Sequence, residues 1–369
     1  MTRTLIRRVA TLVLPCLTVL ALAMARPAGA GEFDEARQSY DRRDYAKAFP
    51  VFKRLALAGD AAAQFRLGTM FAKGQGVRQN YRDAVSWFYK AAAQGHADAE
   101  NSLGVRYEKG QGVARDAQQA ELWYRRAALQ GFALAQDNLS DLYAKGLGVP
   151  RDDVSAYVWS SLAIANGEPA AARKRARLAA SLDNEKRAEV NYRLGAAYAT
   201  GQGVAQNPQQ ALQWLSKAAA QGHVQAQFQL AESHGKGIGV AQDQRTAAAW
   251  YEKAAAQGHA RAQSAIGYLY DMGQGVAADA NRALEWYEKA AAQGDVVAQY
   301  NLGSMYGAGR GVNQSDLQAH MWFSIAEAHS EKTATAATES RKLIEARMTP
   351  EQIAEGRRLA REWMKRHAG

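Results

Sequence analysis

Cysteine is almost absent from this chain of 369 residues, in which Cys16 is the single example. Cys16 lies inside an N-terminal apolar run and follows Pro15, where a lipoprotein signal needs a small residue. The sequence therefore predicts no lipid anchor at this position. It also predicts that the rest of the chain has no disulfide, no thiolate nucleophile and no cysteine-based metal site.

Long apolar runs are absent too, apart from one near the N-terminus. Three arginines precede an apolar stretch over residues 9–24, and Ala28-Gly29-Ala30 fits a signal-peptidase site. The stretch is shorter than the roughly 20 residues that span a bilayer comfortably. We expect residues 1–30 to be a cleaved export signal, with an uncleaved membrane anchor as the alternative. The expected location is outside the cytoplasm, either periplasmic or secreted.

A strong net charge is also missing. The whole chain carries +10, and residues 1–30 contribute four arginines and no acid, which leaves +6 for the remainder. This mild basic bias is compatible with an acidic partner or an anionic envelope surface. It is weak evidence for nucleic acid, so the predicted partners are proteins. Membrane contact is expected to be transient, or to occur through an uncleaved signal.

Motifs that carry catalysis or bind a metal are missing as well. The glycine-rich G-x-G turns lack the preceding strand and the G-K-[ST] ending of a phosphate-binding loop. There is no G-x-S-x-G motif for a nucleophilic serine. His320 and His329 are nine residues apart, and no histidine pairs with an acidic residue at metalloenzyme spacing. The sequence predicts a protein that is not an enzyme and that has no cofactor or metal.

What the chain does contain is a repeat, marked by the motif G-x-G-V. Its first glycines are Gly74, Gly110, Gly146, Gly201, Gly237, Gly273 and Gly309. Successive motifs are 36 residues apart, except for a gap of 55 between the third and the fourth, so 19 extra residues interrupt the period. Seven tryptophans keep the same spacing: Trp87, Trp123, Trp159, Trp214, Trp250, Trp286 and Trp322. Periods of about 20–50 residues indicate a solenoid or array.

Residues 61–96 show the content of one unit. Leu67, Gly68 and Phe71 share a face at helical spacing, and the helix is predicted to end just before Gly74, where glycine allows a positive φ. A second amphipathic helix contains Trp87, and a Q-G-H turn leads to the next unit. Each unit is thus predicted to be two antiparallel helices. We interpret the repeated tryptophans as core residues, with stacking on sugars as the alternative.

The repeated pattern A-x-A-Q-x-x-L-G-x-x-Y-x-x-G-x-G-V, followed by A-x-x-W-Y-x-K-A-A-x-Q-G-H, resembles the Sel1-like repeat (SLR) of the tetratricopeptide superfamily. Ser140 in the third unit and His234 in the fifth depart from it. The resemblance implies an all-α fold, a right-handed α/α superhelical solenoid whose concave face binds other proteins. It also implies the exported bacterial type, which often acts as an adaptor or regulator in the cell envelope.

The phase of the repeat divides the chain into two sub-arrays, each closed by additional helix. The predicted segments are 1–30 (signal peptide), 31–60 (N-terminal capping helix pair), 61–167 (units 1–3), 168–189 (inserted Ala/Arg-rich helical segment), 190–329 (units 4–7) and 330–369 (C-terminal capping helices). Near the C-terminus, Thr349-Pro350 followed by Gln352 fits a capping box that starts a helix. That helix is predicted to be a lid with Trp363 on its apolar stripe.

Candidate binding residues lie at the variable positions of the first helices, because the invariant positions are needed for packing, and at the recurring lysine that ends four of these helices. They are Arg66, Met70, Lys73, Arg106, Lys109, Lys145, Arg193, Gln229, Lys236, Met272 and Met305. The set changes from basic near the N-terminus to methionine-containing near the C-terminus, and methionine suits an adaptable protein-binding surface. The recurring lysines either complement a helix dipole or form a basic strip along the inner surface.

The sequence therefore predicts an exported scaffold that binds one or more proteins through its concave face, as an envelope adaptor or regulator of signalling or assembly. One alternative is an enzyme that acts on cell-wall material, as proposed for cysteine-rich relatives, but those relatives carry paired cysteines that this chain lacks. The other alternative is a carbohydrate-binding module. Function is expected at the variable positions and at the break between Gly146 and Gly201.

Overall fold

The computed structural model describes residues 30–146, 148–329 and 331–367. Across these ranges the regular structure is entirely helical. No helix within them is both long enough and apolar enough to cross a bilayer. The predicted export signal, and the membrane anchor that is its alternative, lie outside the described residues.

The helices follow one another along the chain with short connections. Before the break they are α1 (Ala30–Asp41), α2 (Tyr45–Leu57), α3 (Ala61–Lys73), α4 (Tyr81–Ala92), α5 (Ala97–Lys109), α6 (Ala117–Leu129), α7 (Ala133–Lys145) and α8 (Asp153–Ala165). After it come α9 (Ala171–Ser181), α10 (Asn184–Thr200), α11 (Pro208–Ala220), α12 (Val224–Lys236), α13 (Gln244–Ala256), α14 (Ala260–Met272), α15 (Ala280–Ala292), α16 (Val296–Ala308), α17 (Asp316–His329), α18 (Glu331–Glu345) and α19 (Pro350–His367).

Seven of these helix pairs correspond to the seven repeats. In each pair the first helix (α3, α5, α7, α10, α12, α14, α16) packs against the second (α4, α6, α8, α11, α13, α15, α17), and most second helices pack against the next first helix. This stacking confirms the predicted helical solenoid. The α1–α2 pair precedes the repeats, α9 stands alone at the break, and α18 and α19 follow the last pair.

The two glycines of each turn have different roles. Gly74 ends α3 in the left-handed conformation, with φ of 70°, and its N–H donates to the Met70 carbonyl, as predicted for a helix C-cap. Gly76 also has a positive φ, of 68°, and a Cβ there would lie 2.7 Å from the carbonyl oxygen of Tyr45. The first glycine therefore stops the helix, and the second lets the turn touch the preceding pair.

Packing within a unit depends on a third glycine, in the middle of the first helix. A Cβ on Gly68 would lie 2.8 Å from the ring of Phe88, and one on Gly267 would lie 2.9 Å from the ring of Tyr287. Both rings belong to the residue directly after the repeat tryptophan, and both are almost completely buried. The residue after the tryptophan thus fills the space between the two helices of these units.

The tryptophans themselves are less uniformly buried than the sequence suggests. Trp123, Trp159 and Trp322 are buried, whereas the other four repeat tryptophans are half-buried. A lysine three residues later lies over each half-buried ring, for example Lys253 with its Nζ 4.0 Å from the ring centre of Trp250. The core interpretation is therefore correct for three of the tryptophans. The other four are packed at the core's edge beneath a cation.

A buried amide at the start of most first helices ties neighbouring helices together. Gln263 is 5% exposed, and its Nε2 donates to the Ala255 carbonyl of the preceding α13 at 3.1 Å. Its Oε1 accepts a hydrogen bond of 2.8 Å from Gln293, which follows α15. The same arrangement recurs at Gln64 and Gln227. Each such glutamine pairs a backbone carbonyl of a buried residue that the stacking would otherwise leave without a partner, and its own buried carbonyl oxygen accepts from an exposed glutamine.

The break between the sub-arrays changes the direction of the helices. Ser155 and Asn166 of the α8 segment contact Arg193 and Gly203, respectively, through hydrogen bonds of 3.0 and 2.7 Å, so α10 runs parallel to α8. In the regular stack, consecutive helices joined by a short turn run antiparallel. The single helix α9 therefore reverses the alternation for every unit that follows.

The two sub-arrays nevertheless share one core across the break. Val190, Leu194 and Val204 belong to the same buried cluster as Trp159 and Leu162. The Gly203 N–H donates to the Leu129 carbonyl at the end of α6 at 3.0 Å. The turn after α10 thus packs against the end of an earlier pair, and the solenoid is continuous through the insertion.

Two more helices, α18 and α19, follow the last repeat pair, and no further repeat follows them. The N–H of Thr349 donates to Gln352 Oε1 at 2.9 Å, and the N–H of Gln352 donates to the Thr349 hydroxyl at 3.3 Å, which confirms the capping box. Trp363 packs edge-on against Trp322, with the ring centres 5.2 Å apart. The helix α19 therefore covers the end of the last repeat, which is the position predicted for the lid.

Candidate protein-binding surface

The predicted binding residues fall into three groups by exposure. The exposed residues are Lys73, Lys109, Lys145, Arg193, Lys236 and Met272. The half-buried residues are Arg66, Arg106 and Gln229. The remaining two, Met70 and Met305, are completely buried. Most of the predicted positions can thus contact a partner, and two cannot.

The prediction is wrong for Met70 and Met305. Both stand four residues before the first glycine of the turn, and Leu142 and Leu269 at the same position are also buried. The residue type varies there because the space between neighbouring helices varies, and long apolar side chains gain free energy by filling it. Variation at this position reflects packing volume.

The half-buried arginines are engaged inside the fold. The Arg66 guanidinium lies 5.6 Å from the ring centre of Tyr40 in α1. That of Arg106 lies 5.1 Å from the ring centre of Tyr81, and it donates a hydrogen bond of 2.5 Å to Gln111. These cations hold neighbouring units together, and only part of each side chain reaches solvent.

The recurring lysines all end first helices at exposed positions. Lys145 pairs with Asp141 at 2.9 Å, and Lys236 pairs with Glu232 at 2.7 Å, each one turn earlier in the same helix. Lys73 and Lys109 make no ion pair with a described residue. Their placement suits the helix dipole and leaves both ammonium groups free to meet a partner, so the basic strip stays a prediction.

Arg193 belongs to an ionic chain beside the break. Its Nε donates to Glu189 at 2.5 Å, and the other Glu189 oxygen accepts a bond of 2.9 Å from His223. The Ala226 N–H donates to His223 Nδ1, so the proton of the neutral ring resides on Nε2. Burial raises the pKa of Glu189, but the bonds from His223 and Arg193 outweigh it and lower that pKa. The carboxylate is ionised and fully partnered.

Glu189 and His223 of this ionic chain line a cleft of about 910 Å³ at the break, here called the junction cleft. Its other lining comes from Val154, from residues 183–186 and Ala188 around the start of α10, and from the rest of the turn before α12 over residues 221–225. The sequence predicted a functional role for this break, but it did not predict a cleft there.

A second recess lies between the first helices α12 and α14 and the start of α16, and is here called the α14 groove. Its volume is about 370 Å³. Its lining includes Phe228, Glu232, Lys236, Tyr251, Arg261, Ser264, Tyr268, Leu269, Asp295 and Val297. Of the predicted residues, Lys236 contributes directly to this lining.

The α14 groove has an apolar floor and exposed apolar rims. Phe228, 3% exposed, lies at the floor, whereas Tyr268 and Val297 are 44% and 53% exposed. Met272, one helical turn after Tyr268, is 46% exposed. Most large apolar side chains of the repeats are buried, so these exposed ones, on α14 and at the start of α16, mark a surface suited to binding.

Paired charges border the groove. Arg261 lies over the Phe228 ring at 4.8 Å from its centre and 4.0 Å from Glu232, which also holds Lys236. Burial and the Glu232 charge raise the pKa of Tyr251 to about 12, so its hydroxyl stays protonated and can donate. The groove thus offers an apolar contact area with a hydrogen-bond donor and a balanced ionic rim.

Sequence reasoning missed Tyr268 and Val297, although the repeat phase contains a signal for both. Tyr268 stands five residues before the turn glycine, where the other units have Thr69, Val105, Asp141, Ala196, Glu232 and Ser304. Val297 stands where several other units carry a charged residue or glutamine. A large apolar residue at a position that is usually polar or small indicates a contact surface.

The described side chains contain no group of three or more His, Cys, Asp or Glu residues that could hold a metal ion. The histidines His223 and His259 instead cap helices, since the Nδ1 of each accepts a backbone N–H three residues later. Their rings stack on Tyr192 and Phe228. His96, at the same turn position, stacks on Phe65 in the same way but does not cap its helix, so the stacking is what the three histidines share.

Comparison with known families agrees with the fold. The Sel1 repeat model matches seven times, at residues 61–96, 97–132, 133–168, 188–223, 224–259, 260–295 and 296–329. The chain belongs to the Sel1 repeat family. This scaffold is typical of protein–protein interaction, and proteins of the family are generally non-catalytic.

Several solved structures are similar. One is c5321, a protective antigen of uropathogenic Escherichia coli with an SLR fold, at 28% identity over 92% of this chain and 85% of that one, with a TM-score of 0.40. Another is a Sel1 repeat protein from Oxalobacter formigenes, at 28% identity over 71% and 97%, with a TM-score of 0.36. The immunity protein Pa5087 of Pseudomonas aeruginosa is 20% identical over 78% and 82%, with a TM-score of 0.23. No curated protein matches the chain.

Proposed function

We propose that this chain is an exported, non-enzymatic scaffold that binds a segment of another protein through the first-helix surface of its second sub-array. The observation that carries the proposal is the α14 groove, in which Tyr268 and Val297 expose apolar surface above the buried Phe228. A few anchor residues, among which tyrosine is enriched, supply most of the affinity at protein interfaces. The surrounding paired charges would fix the register of the bound segment.

The groove is more suitable for a peptide segment than for a sugar. The half-buried tryptophans, which are the natural sugar-stacking residues, do not line it, and lysines cover their rings. A groove between parallel first helices can receive an extended or helical segment along its length. No observation favours the carbohydrate-binding or cell-wall-enzyme alternative.

The first test is capture of a partner from envelope extract with the chain lacking residues 1–30, followed by mass spectrometry. The affinity of the captured partner is then measured for the wild type and for the double variant Tyr268→Glu/Val297→Glu. We expect at least a tenfold loss, about 1.4 kcal/mol or more, because two carboxylates would occupy the apolar contact.

The matched control is Leu57→Glu/Leu343→Glu, which adds the same charge at residues that are 67% and 73% exposed and lie outside the groove. The control should bind as the wild type does. An equal loss in both double variants would show that charge alone weakens binding, and no loss in the groove variant would reject the groove as the binding site.

The export part of the proposal is supported by the sequence of residues 1–30. An exported adaptor in the cell envelope would meet its partners outside the cytoplasm, and the lack of cysteine in residues 31–369 makes an oxidising compartment harmless. Cell fractionation and N-terminal mass spectrometry of the full-length product test this. We expect a mature N-terminus at Gly31 in the exported fraction, and an intact Met1 in the cytoplasm would contradict it.

A further inference from the structure

The inserted helix α9 has an unusual charge. Its eleven residues include Arg173, Lys174, Arg175 and Arg177 and contain no acid. The repeat does not need this helix, since the other units follow one another directly. Its sequence is therefore free of the constraints that determine the other helices.

One of the four cations of α9 lies on its buried face and is paired there. Ala171 and Leu178 are buried, and between them Lys174 pairs with Asp137 of α7 at 2.8 Å and also with Asp141. The Lys174 side chain is 13% exposed. This ion pair fixes the rotation of α9 about its axis and leaves the opposite face directed to solvent.

The outward face carries the arginines. Arg173 and Arg177 are exposed and lie one turn apart, and Arg175 is half-buried at the flank. None of the three makes a hydrogen bond or ion pair with a described residue. Alanines at 172, 176 and 180 occupy the rest of this face and leave it flat. A partner can therefore approach closely enough for the guanidinium groups to bind bidentately.

The helix that occupies the corresponding place after the last repeat is different. In α18, Arg341 pairs with Glu327 at 2.9 Å and also with Glu345. The described side chains of α18 carry as many acids as bases. The arginine of α18 is thus neutralised by two carboxylates, whereas the three arginines of α9 are left unpaired.

We propose that the outward face of α9 is a docking surface for an acidic segment of a partner protein. Guanidinium groups match carboxylates in geometry and charge. Arg173 and Arg177 are about 6 Å apart along the helix, which fits acidic residues two apart in an extended segment or four apart in a helix. The choice of a protein ligand rests on the proposed function, whereas the surface is separate from the α14 groove.

A lipid surface is a poorer occupant. Helices that lie on membranes insert large apolar side chains such as leucine, phenylalanine or tryptophan. The only apolar side chains on the outward face of α9 are alanines, and the one leucine of the helix, Leu178, is buried. An acidic peptide needs no inserted side chain, so it fits the surface that is present.

The test uses the protein without residues 1–30 and a fluorescein-labelled polyglutamate peptide, with binding followed by anisotropy at low and high salt. In Arg173→Glu/Arg177→Glu we expect at least a tenfold loss of affinity and a weaker salt dependence. In Arg173→Lys/Arg177→Lys we expect an intermediate loss, because the charge remains and the bidentate geometry does not. Circular dichroism checks that each variant is folded.

The matched control is Lys342→Glu/Arg361→Glu, which reverses two exposed C-terminal cations that make no ion pair with a described residue. It should lower the affinity less than threefold. Equal losses in the two reversals would overturn the proposal, because net charge alone would then explain binding. So would α9-dependent sedimentation with phosphatidylglycerol vesicles together with no α9-dependent peptide binding. Tyr268→Glu/Val297→Glu should leave peptide binding unchanged, so failure at the groove and failure at α9 are distinguishable.

Discussion

At the scale of single residues, the buried glutamines of the first helices connect the units. Gln263 joins two neighbouring second-helix segments through two hydrogen bonds in a site that is nearly closed to water. The side chain of an alanine would leave the carbonyl of the buried Ala255 without this partner, whereas the amide of the exposed Gln293 can turn to water. Burying unpaired polar groups costs more free energy than the lost bonds contribute.

We therefore expect Gln263→Ala to lower the free energy of unfolding by about 1–3 kcal/mol. The control is Gln213→Ala, at an exposed position in α11, which should change it by less than about 0.5 kcal/mol. Urea denaturation followed by circular dichroism measures both. Equal midpoints for the two variants would show that the glutamine contacts do not stabilise the stack.

In the second unit a charged residue takes the place of the buried glutamine. Glu100, 1% exposed, replaces the glutamine and accepts bonds of 2.9 Å from Arg126 and 2.7 Å from Gln130. Arg126 stands where most of the other units have the lysine over tryptophan, and its guanidinium still lies 4.9 Å from the centre of the Trp123 ring. One arginine thus serves both the carboxylate and the ring.

Removing Arg126 should therefore destabilise the fold more when residue 100 is a glutamate than when it is a glutamine. We expect Arg126→Ala to destabilise the wild type by about 2–4 kcal/mol, because it leaves a buried carboxylate without its counterion. In the Glu100→Gln background the same change should lower the free energy of unfolding by an amount that is smaller by at least about 1 kcal/mol. A thermal-unfolding double-mutant cycle gives the difference, and identical costs in the two backgrounds would refute the pairing.

At the scale of helices, an ionic cluster joins the last repeat helix α17 to the two C-terminal helices α18 and α19. His320 of α17 is fully buried, and its Nε2 lies 2.9 Å from Glu345 of α18. Arg341 and Arg357 also contact this carboxylate, and Glu327 contacts Arg341. A Cβ on Gly356 of α19 would lie 2.5 Å from His320 Nδ1, so the lid packs directly on the ring.

This cluster should make the lid sensitive to acid. Burial lowers the pKa of His320, although its bond to Glu345 opposes that shift. Because the folded pKa is below the unfolded one, stability is complete above about pH 6.5 and falls as the pH drops towards the folded value. Glu345 has a lowered pKa, despite its own burial, through His320 and Arg341, so a second loss follows below about pH 4.3.

Hydrogen exchange measures this loss locally. Between pH 7.5 and 5.5 we expect protection factors in α18 and α19 to fall, with little change in α5 and α6. In His320→Gln, whose amide takes the place of Nε2 and does not titrate, they should be nearly constant over that range. Protection that is independent of pH in the wild type would show that the histidine does not control the lid.

Helix boundaries and helix directions differ in how well the sequence predicts them. The end of α3 depends on a glycine at positive φ and the start of α19 on a capping box, and both boundaries were predictable from this local chemistry. The reversal at the break depends on whether the extra residues form one helix or two. The alanine- and arginine-rich composition indicated helix, but the count follows only from the packing of α9 on α7 and α8.

Side-chain direction was harder to predict than helix position. Met70 and Arg106 stand at the same place in their units, yet the first is buried and the second reaches solvent. A single sequence shows that the position varies, and it does not show whether the variation serves packing or binding. Tyr268 stood out only when its position was compared across the units in the correct phase.

At the scale of the whole molecule, the chain is one solenoid that changes helix direction at α9. Gln136 illustrates the coupling, since its Nε2 donates both to the Ala128 carbonyl within the first sub-array and to the Gly203 carbonyl of the second. The α14 groove lies in the second sub-array and α9 lies at the break. Two separate surfaces on one continuous body would let the scaffold hold two parts of a partner, or two partners, at a fixed separation.

The most direct test of the central claim, that the α14 groove receives a segment of a partner protein, is site-specific photo-crosslinking. A benzoylphenylalanine is placed at position 268, and at position 343 in a control, and cells that express the full-length chain are irradiated intact. We predict one defined cross-linked protein from position 268 that is lost in Val297→Glu and absent from position 343. The same products from both positions, or none from position 268, would contradict the account.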